Sequence, residues 1–171
     1  MFQTFSRFSA FAVLFVASAS ITFAQNAPVP FAAPPAIPYG LSITLDSAKK
    51  AVTAAVSEAR KNNWTMAVAI VDPAGYLVYF EKMDGTQTGS VDVSLDKARS
   101  AALFRRPTKV FEDALAAGGL GLRFLALRGA VPVAGGIPII VDGKLIGAIG
   151  VSGGTNLQDE ATADAGSKVV K

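Results

Sequence analysis

The chain has 171 residues, 51% of them hydrophobic, a formal net charge of +3, and neither His nor Cys. That inventory excludes a Ser-His-Asp triad, a Cys nucleophile, a disulfide framework and a zinc cage of thiolate or imidazole ligands. So small a charge, to which Arg7 contributes one unit, gives no ground for a nucleic-acid partner.

The chain opens MFQTFSRFSAFAVLFVASASITFAQ, where Arg7 precedes an apolar run from Phe8 to Val16 and small residues lead to Ala24. A charged start, a short apolar centre and a small-residue end mark residues 1–24 as a secretory signal peptide, cut after Ala24. The run is shorter than the ~20 apolar residues of a membrane span. The processed chain is therefore expected to carry no stable span and to reside in the periplasm or outside the cell. Residues 25–40 carry Pro at 28, 30, 34, 35 and 38. With φ fixed and a donor missing at each Pro, they read as an extended tether. The remaining 41–171 has the length of one domain, and without disulfides its stability must come from burial.

Leu45, Ala48, Val52, Ala55 and Ala59 recur at three- and four-residue spacing, predicting an amphipathic helix capped by Thr44 and ending near Asn62-Asn63. Its face is mostly Ala, which suits close approach to a sheet. Met66 to Val71 and Tyr76 to Lys82 flank the turn-forming Asp72-Pro-Ala-Gly75 and read as a hairpin. Val91, Leu95, Ala98 and Ala102 mark the apolar stripe of a helix that Pro107 stops near Arg106. Thr108 suits the N-cap of a short helix, Lys109 to Ala117, closed by Gly118, Gly119 and Gly121. In the loop beyond, Leu122, Phe124, Leu125 and Leu127 are expected to be half buried, with room for a short edge strand before Pro132.

Ile137 to Val141 and Leu145 to Val151 flank Asp142-Gly143, a dipeptide suited to a tight hairpin turn. The second strand carries Gly147, Gly150, Gly153 and Gly154, so a packed helix or a ligand is expected to approach its backbone closely. Thr155 or Asn156 then caps a last helix to about Val169, with Asp159 and Glu160 in its first turn. Paired strands separated by helices, without regular strand-helix-strand alternation, predict an α+β domain: an antiparallel sheet flanked by helices.

Gly150-Val151-Ser152-Gly153-Gly154 matches the G-x-S-x-G pattern, but without an imidazole Ser152 has no ordinary base and reads as a turn residue. The free amides of this junction suit a phosphate or carboxylate, though the Lys of a P-loop is missing. The acidic residues are scattered, and Asp84-Gly85 lacks the spacing of a calcium loop. Lys97, Arg99, Arg105, Arg106 and Lys109 gather beside Leu103, Phe104 and Phe111. The set fits a flat apolar small-molecule ligand bearing carboxylates, and equally a solvated helix face.

SITLDSAKKAV (42–52), MDGTQTGSVDVSLDKARSAALFRRPT (83–108) and GGIPIIVDGKLIGAIGVSGGTNLQDE (135–160) resemble the GlcG/HbpS-like family, which also occurs as the C-terminal domain of PduO-type corrinoid adenosyltransferases. The likeness runs from about Leu41 to the C-terminus. It implies a profilin-like α+β fold, a homo-oligomer, and an exported haem-binding protein of a family in which haem degradation also occurs. It matches Thr108 to a Thr associated with the iron contact in haem-binding members. Arg105 and Arg106 become propionate contacts, with Lys97 in the same basic set. Members that ligate iron through His have no counterpart in this chain, so Met66, Met83, Tyr76 and Tyr79 are the remaining axial candidates. All four suit core or strand positions as well. The alternative implied by other members is an accessory protein or enzyme handling a small carboxylate metabolite.

Overall fold

Local signals set the ends of the elements. Asp142 and Gly143 both take positive φ, 50° and 72°, the geometry of a two-residue turn whose twist matches the strands it joins. Asp72 Oδ1 accepts the Ala74 and Tyr76 amides, each at 2.9 Å, and closes the other hairpin. Thr44 Oγ1 accepts from the Ser47 amide to cap the first helix, and Thr155 forms a reciprocal capping box with Gln158 on the last.

The computed structural model describes residues 37–171. The expected signal peptide and the tether up to residue 36 lie outside them. The elements are α1 Leu45–Lys61, β1 Ala67–Val71, β2 Leu77–Lys82, α2 Ser90–Phe104, α3 Lys109–Ala116, a 3-10 helix Gly119–Leu125, β3 Gly136–Val141, β4 Lys144–Ser152 and α4 Asn156–Ser167. The sheet order is β2-β1-β4-β3 with every pair antiparallel, so the α+β expectation is met.

Side chains alternate across this sheet, and both faces are covered. Val68, Ile70, Ile149 and Val151 pack under α1 and α4 with Ala48, Val52, Ala55 and Ala163. Ala69, Val71 and Ala148 meet Ala98, Ala101 and Ala102 of α2 on the other face. All five residues of β1 are buried for that reason.

The two faces differ in depth. A Cβ on Gly150 would stand 2.0 Å from Ser94 O and 2.4 Å from Ala98 N, and one on Gly136 would stand 2.4 Å from Lys97 O. The α2 backbone therefore rests on the backbones of β3 and β4. Such a gap has no room for Val or Leu, which corrects the expected stripe. Ala98 and Ala102 are buried as anticipated, but Val91 and Leu95 sit at the margin. The rest of the buried face is Ser90, Ser94, Lys97, Ser100 and Ala101.

The segment after α3 also departs from expectation. It is a 3-10 helix, in which residues three apart share a face, and Phe124 takes the inward position. Leu122, Leu125 and Leu127 are 55%, 67% and 41% exposed rather than half buried. No strand forms between the 3-10 helix and Pro132.

Replacing Gly150 by Ala forces α2 off the sheet and is expected to cost about 3 kcal/mol. Gly143→Ala, which meets open space at positive φ, is expected to cost about 1 kcal/mol. Urea midpoints of the two variants test the pair, and equal losses would contradict the close approach.

Candidate functional site

The end of α2 is where the chain gathers half-buried guanidinium groups beside aromatic rings. The helix closes at Arg105, which adopts φ 52°, ψ 41°. That left-handed conformation costs a non-glycine residue roughly 1–2 kcal/mol, so surrounding contacts must hold it. Arg105 Nη1 donates to Ile37 O at 2.9 Å, and its guanidinium lies 5.2 Å from the centre of the Tyr39 ring. Tyr39 Oη in turn donates to Leu103 O at 3.2 Å. The stretch Ile37 to Gly40 is seated beside β4, where Leu145 N donates to Pro38 O at 2.9 Å and Gly40 N donates to Leu145 O at 2.7 Å.

Arg106 follows, its Nε donating to Phe104 O at 3.1 Å and its guanidinium 5.6 Å from the Phe111 ring. Burial, and then the neighbouring Arg105 charge, lower its pKa from the ordinary arginine value. Neither arginine makes an ion pair among the described residues. Beneath them Phe111 packs edge-on against Phe104 at 5.3 Å and against Phe124 at 5.1 Å. Val110, Leu120, Leu122 and Leu125 are exposed on the same α3 and 3-10 segment. Two partly exposed guanidinium groups beside aromatic rings can grip paired carboxylates on a flat apolar body.

Of the four residues singled out in the sequence, the structure brings only Arg105 and Arg106 to this surface. Lys97 is 1% exposed and points into the junction of α2, β4 and α4. Its Nζ donates to Asp159 Oδ2 at 2.7 Å and to Val151 O at 3.1 Å. Asp159 Oδ1 accepts the Gly154 amide at 2.9 Å. Burial raises the Asp159 pKa, while the Lys97 ammonium and the Gly154 and Gly153 amides pull it down.

Thr108 is fully buried, and its Oγ1 accepts the Gly136 amide at 2.9 Å while its own amide donates to Gly136 O. It stands at the N-cap position of α3 but its side chain makes no cap bond, because the hydroxyl is turned to β3 instead. Ser152 is buried and bonded to Ser90 Oγ at 3.1 Å, with no base in that hydrogen bond.

Met66 lies in the core beneath α1 and α4, with Met83 and Tyr79 packed against it, on the sheet face away from α2. Tyr76 is exposed at the β1–β2 turn. The structure therefore does not collect these four around the arginines. No cluster of three carboxylates suited to a metal ion occurs among the described residues. A shallow groove on α1, lined by Lys49, Lys50, Thr53 and Ser57 with Val169, is separate from the arginine pair.

Tyr39 and the Ile37 carbonyl escaped the sequence reading because they lie in a Pro-rich stretch. The available signal was an aromatic, Tyr39, directly after Pro38 in a stretch whose polyproline-like conformation leaves its carbonyls free to accept.

A family described as haem degrading protein HbpS-like matches residues 43–168. Protein GlcG of Escherichia coli K12 is 39% identical over 101 residues, which cover 59% of this chain and 74% of that protein. The crystal structure of HbpS superposes with a TM-score of 0.70 at 31% identity, over 77% of this chain and 92% of that one. The PduOC:haem complex gives 0.69 at 26% identity, over 77% and 96%.

Lys97→Met should cost about 3–5 kcal/mol at neutral pH, since it leaves a buried carboxylate without its cation. With the lysine gone, the Asp159 pKa rises further above the ordinary carboxylate value. A raised acid stabilises the fold below its unfolded pKa and loses that contribution as pH climbs through the folded one. The deficit should therefore be small near pH 4 and grow toward pH 7 in urea titrations. An equal deficit at both would contradict the pairing.

Proposed function

Because the chain belongs to the HbpS-like family, we propose that it is an exported haem-binding protein that grips the porphyrin propionates with Arg105 and Arg106. The observation that supports this reading is the pair of adjacent guanidinium groups, next to the Phe104–Phe111–Phe124 cluster and without ion-pair partners among the described residues. Haem is flat, apolar and carries two carboxylates. A guanidinium fork recognises each carboxylate, and the half-buried Phe104 with the exposed Val110, Leu120 and Leu122 offers apolar surface to the macrocycle.

The fit favours the carboxylates over the iron. The chain has no imidazole or thiol, and Met66 and Thr108 are buried. The residues present thus suit the periphery of haem, with no imidazole nitrogen, thiolate or thioether sulfur at the same surface among the described residues. When bound, haem would supply iron-centred redox chemistry, and haem degradation belongs to this proposal on that basis. The protein's part is to hold and orient the ring. Thr108 and Lys97 serve as supports in this reading, one tying α3 to β3 and the other tying α2 to β4 and α4.

Export is supported by the charged start and apolar run of residues 1–24. Assembly into a homo-oligomer is supported by the exposed Leu120, Leu122 and Leu125, since apolar surface of that kind is costly to leave in water.

Titration with haemin is expected to shift the Soret band. The double variant Arg105→Ala, Arg106→Ala should weaken binding about tenfold or more, the loss of one or two charge-assisted hydrogen bonds. Lys109→Ala, whose ammonium already pairs with Asp113, should leave affinity unchanged. An unaltered Soret band, or equal affinity in the double variant, would overturn the assignment, and binding of short hydroxyacids in its place would favour the metabolite alternative.

A further inference from the structure

The grip on Arg105 in the free protein comes from the chain's own N-terminal arm. Ile37 O takes the Nη1 proton at 2.9 Å, on the end of the guanidinium that a two-pronged carboxylate would use. The Tyr39 ring lies over the same group at 5.2 Å, where a flat aromatic ligand would stack. Arg105 is thus occupied both at an edge and on a face.

The arm is also lightly attached. Pro38 has no amide to donate, Tyr39 is 49% exposed, and the backbone bonds between the arm and Leu145 are Leu145 N to Pro38 O and Gly40 N to Leu145 O. Gly40 makes the seat possible, since a Cβ there would stand 3.0 Å from Lys144 Cβ. At the other end of these contacts, Arg105 holds the left-handed conformation at φ 52°. Backbone in that region persists where neighbours impose it, and switch segments draw on such positions.

We propose that residues 37–40 form a strap that occupies Arg105 in the free protein and leaves when a carboxylate-bearing ligand takes the guanidinium. The inference rests on the reading of Arg105 as a ligand contact. Binding is then self-limited: the ligand must displace the Ile37 carbonyl and the Tyr39 ring, and its apparent affinity falls by the stability of the closed arm.

The test uses the full chain in three forms, wild type, Tyr39→Ala and Tyr39→Phe, titrated with haemin while amide exchange is followed at Gly40 and Leu145. Tyr39→Ala should tighten binding about five- to tenfold, the worth of one exposed cation–π contact and one hydrogen bond. Tyr39→Phe, which keeps the ring and loses the bond to Leu103 O, should gain less. In the wild type, haemin should lower protection of the Gly40 and Leu145 amides. Haemin binding of equal or weaker affinity in Tyr39→Ala, with protection at those amides unchanged, would overturn the strap and leave haem recognition standing. No binding by any of the three forms would overturn both.

Discussion

The seat of α2 on Gly136 and Gly150 is the constraint from which the rest of the domain follows. A helix that rests on sheet backbone cannot carry large apolar residues inward, so its buried face is Ser, Ala and one Lys. The same proximity excludes water. Lys97 must then find its partners inside, and it finds them in Asp159 and the Val151 carbonyl. Ser100 and Thr108 satisfy loop and strand amides, those of Val131 and Gly136, for the same reason. Small residues and buried polar ties replace the thick apolar layer that covers the opposite face.

This seat also decides what is presented at the end of the helix. Because α2 is fixed laterally, its last residue and Arg106 emerge at a defined place above the Phe104–Phe111–Phe124 cluster. A chain without His or Cys has no imidazole base or thiol to put there. It offers two guanidinium groups, whose strength is planar recognition of acids. The arm from Ile37 to Gly40 meets that offering directly, with few bonds and one half-exposed ring laid against a helix end that is packed on the sheet.

Local chemistry was legible in the sequence wherever a few neighbouring residues suffice. Asp142-Gly143, the Thr44 and Thr155 caps and the Pro107 stop all lie where their types require, and the two hairpins with them. The inward face of α2 was not legible, since the space allowed to it is set by Gly136 and Gly150, far along the chain. Lys97 and Asp159 are 62 residues apart, so the sequence showed two charges and no pair. The adjacency of Arg105 and Arg106 could be read directly. What covers Arg105 could not, because the covering group is a backbone carbonyl and a ring in a stretch that looks like a spacer. The leucines of the 3-10 helix misled for a different reason: hydrophobic type suggests burial, but a three-residue period turns only Phe124 fully inward.

The location of the ligand is the most direct test of this account. Backbone chemical shifts of the protein, recorded with and without a diamagnetic gallium protoporphyrin, report that location residue by residue. The account predicts shifts concentrated at Leu103, Phe104, Arg105 and Arg106 and along Ile37 to Gly40, with Lys49, Lys50 and Thr53 on α1 unmoved. Shifts centred on that α1 groove, with residues 103 to 106 unchanged, would contradict it.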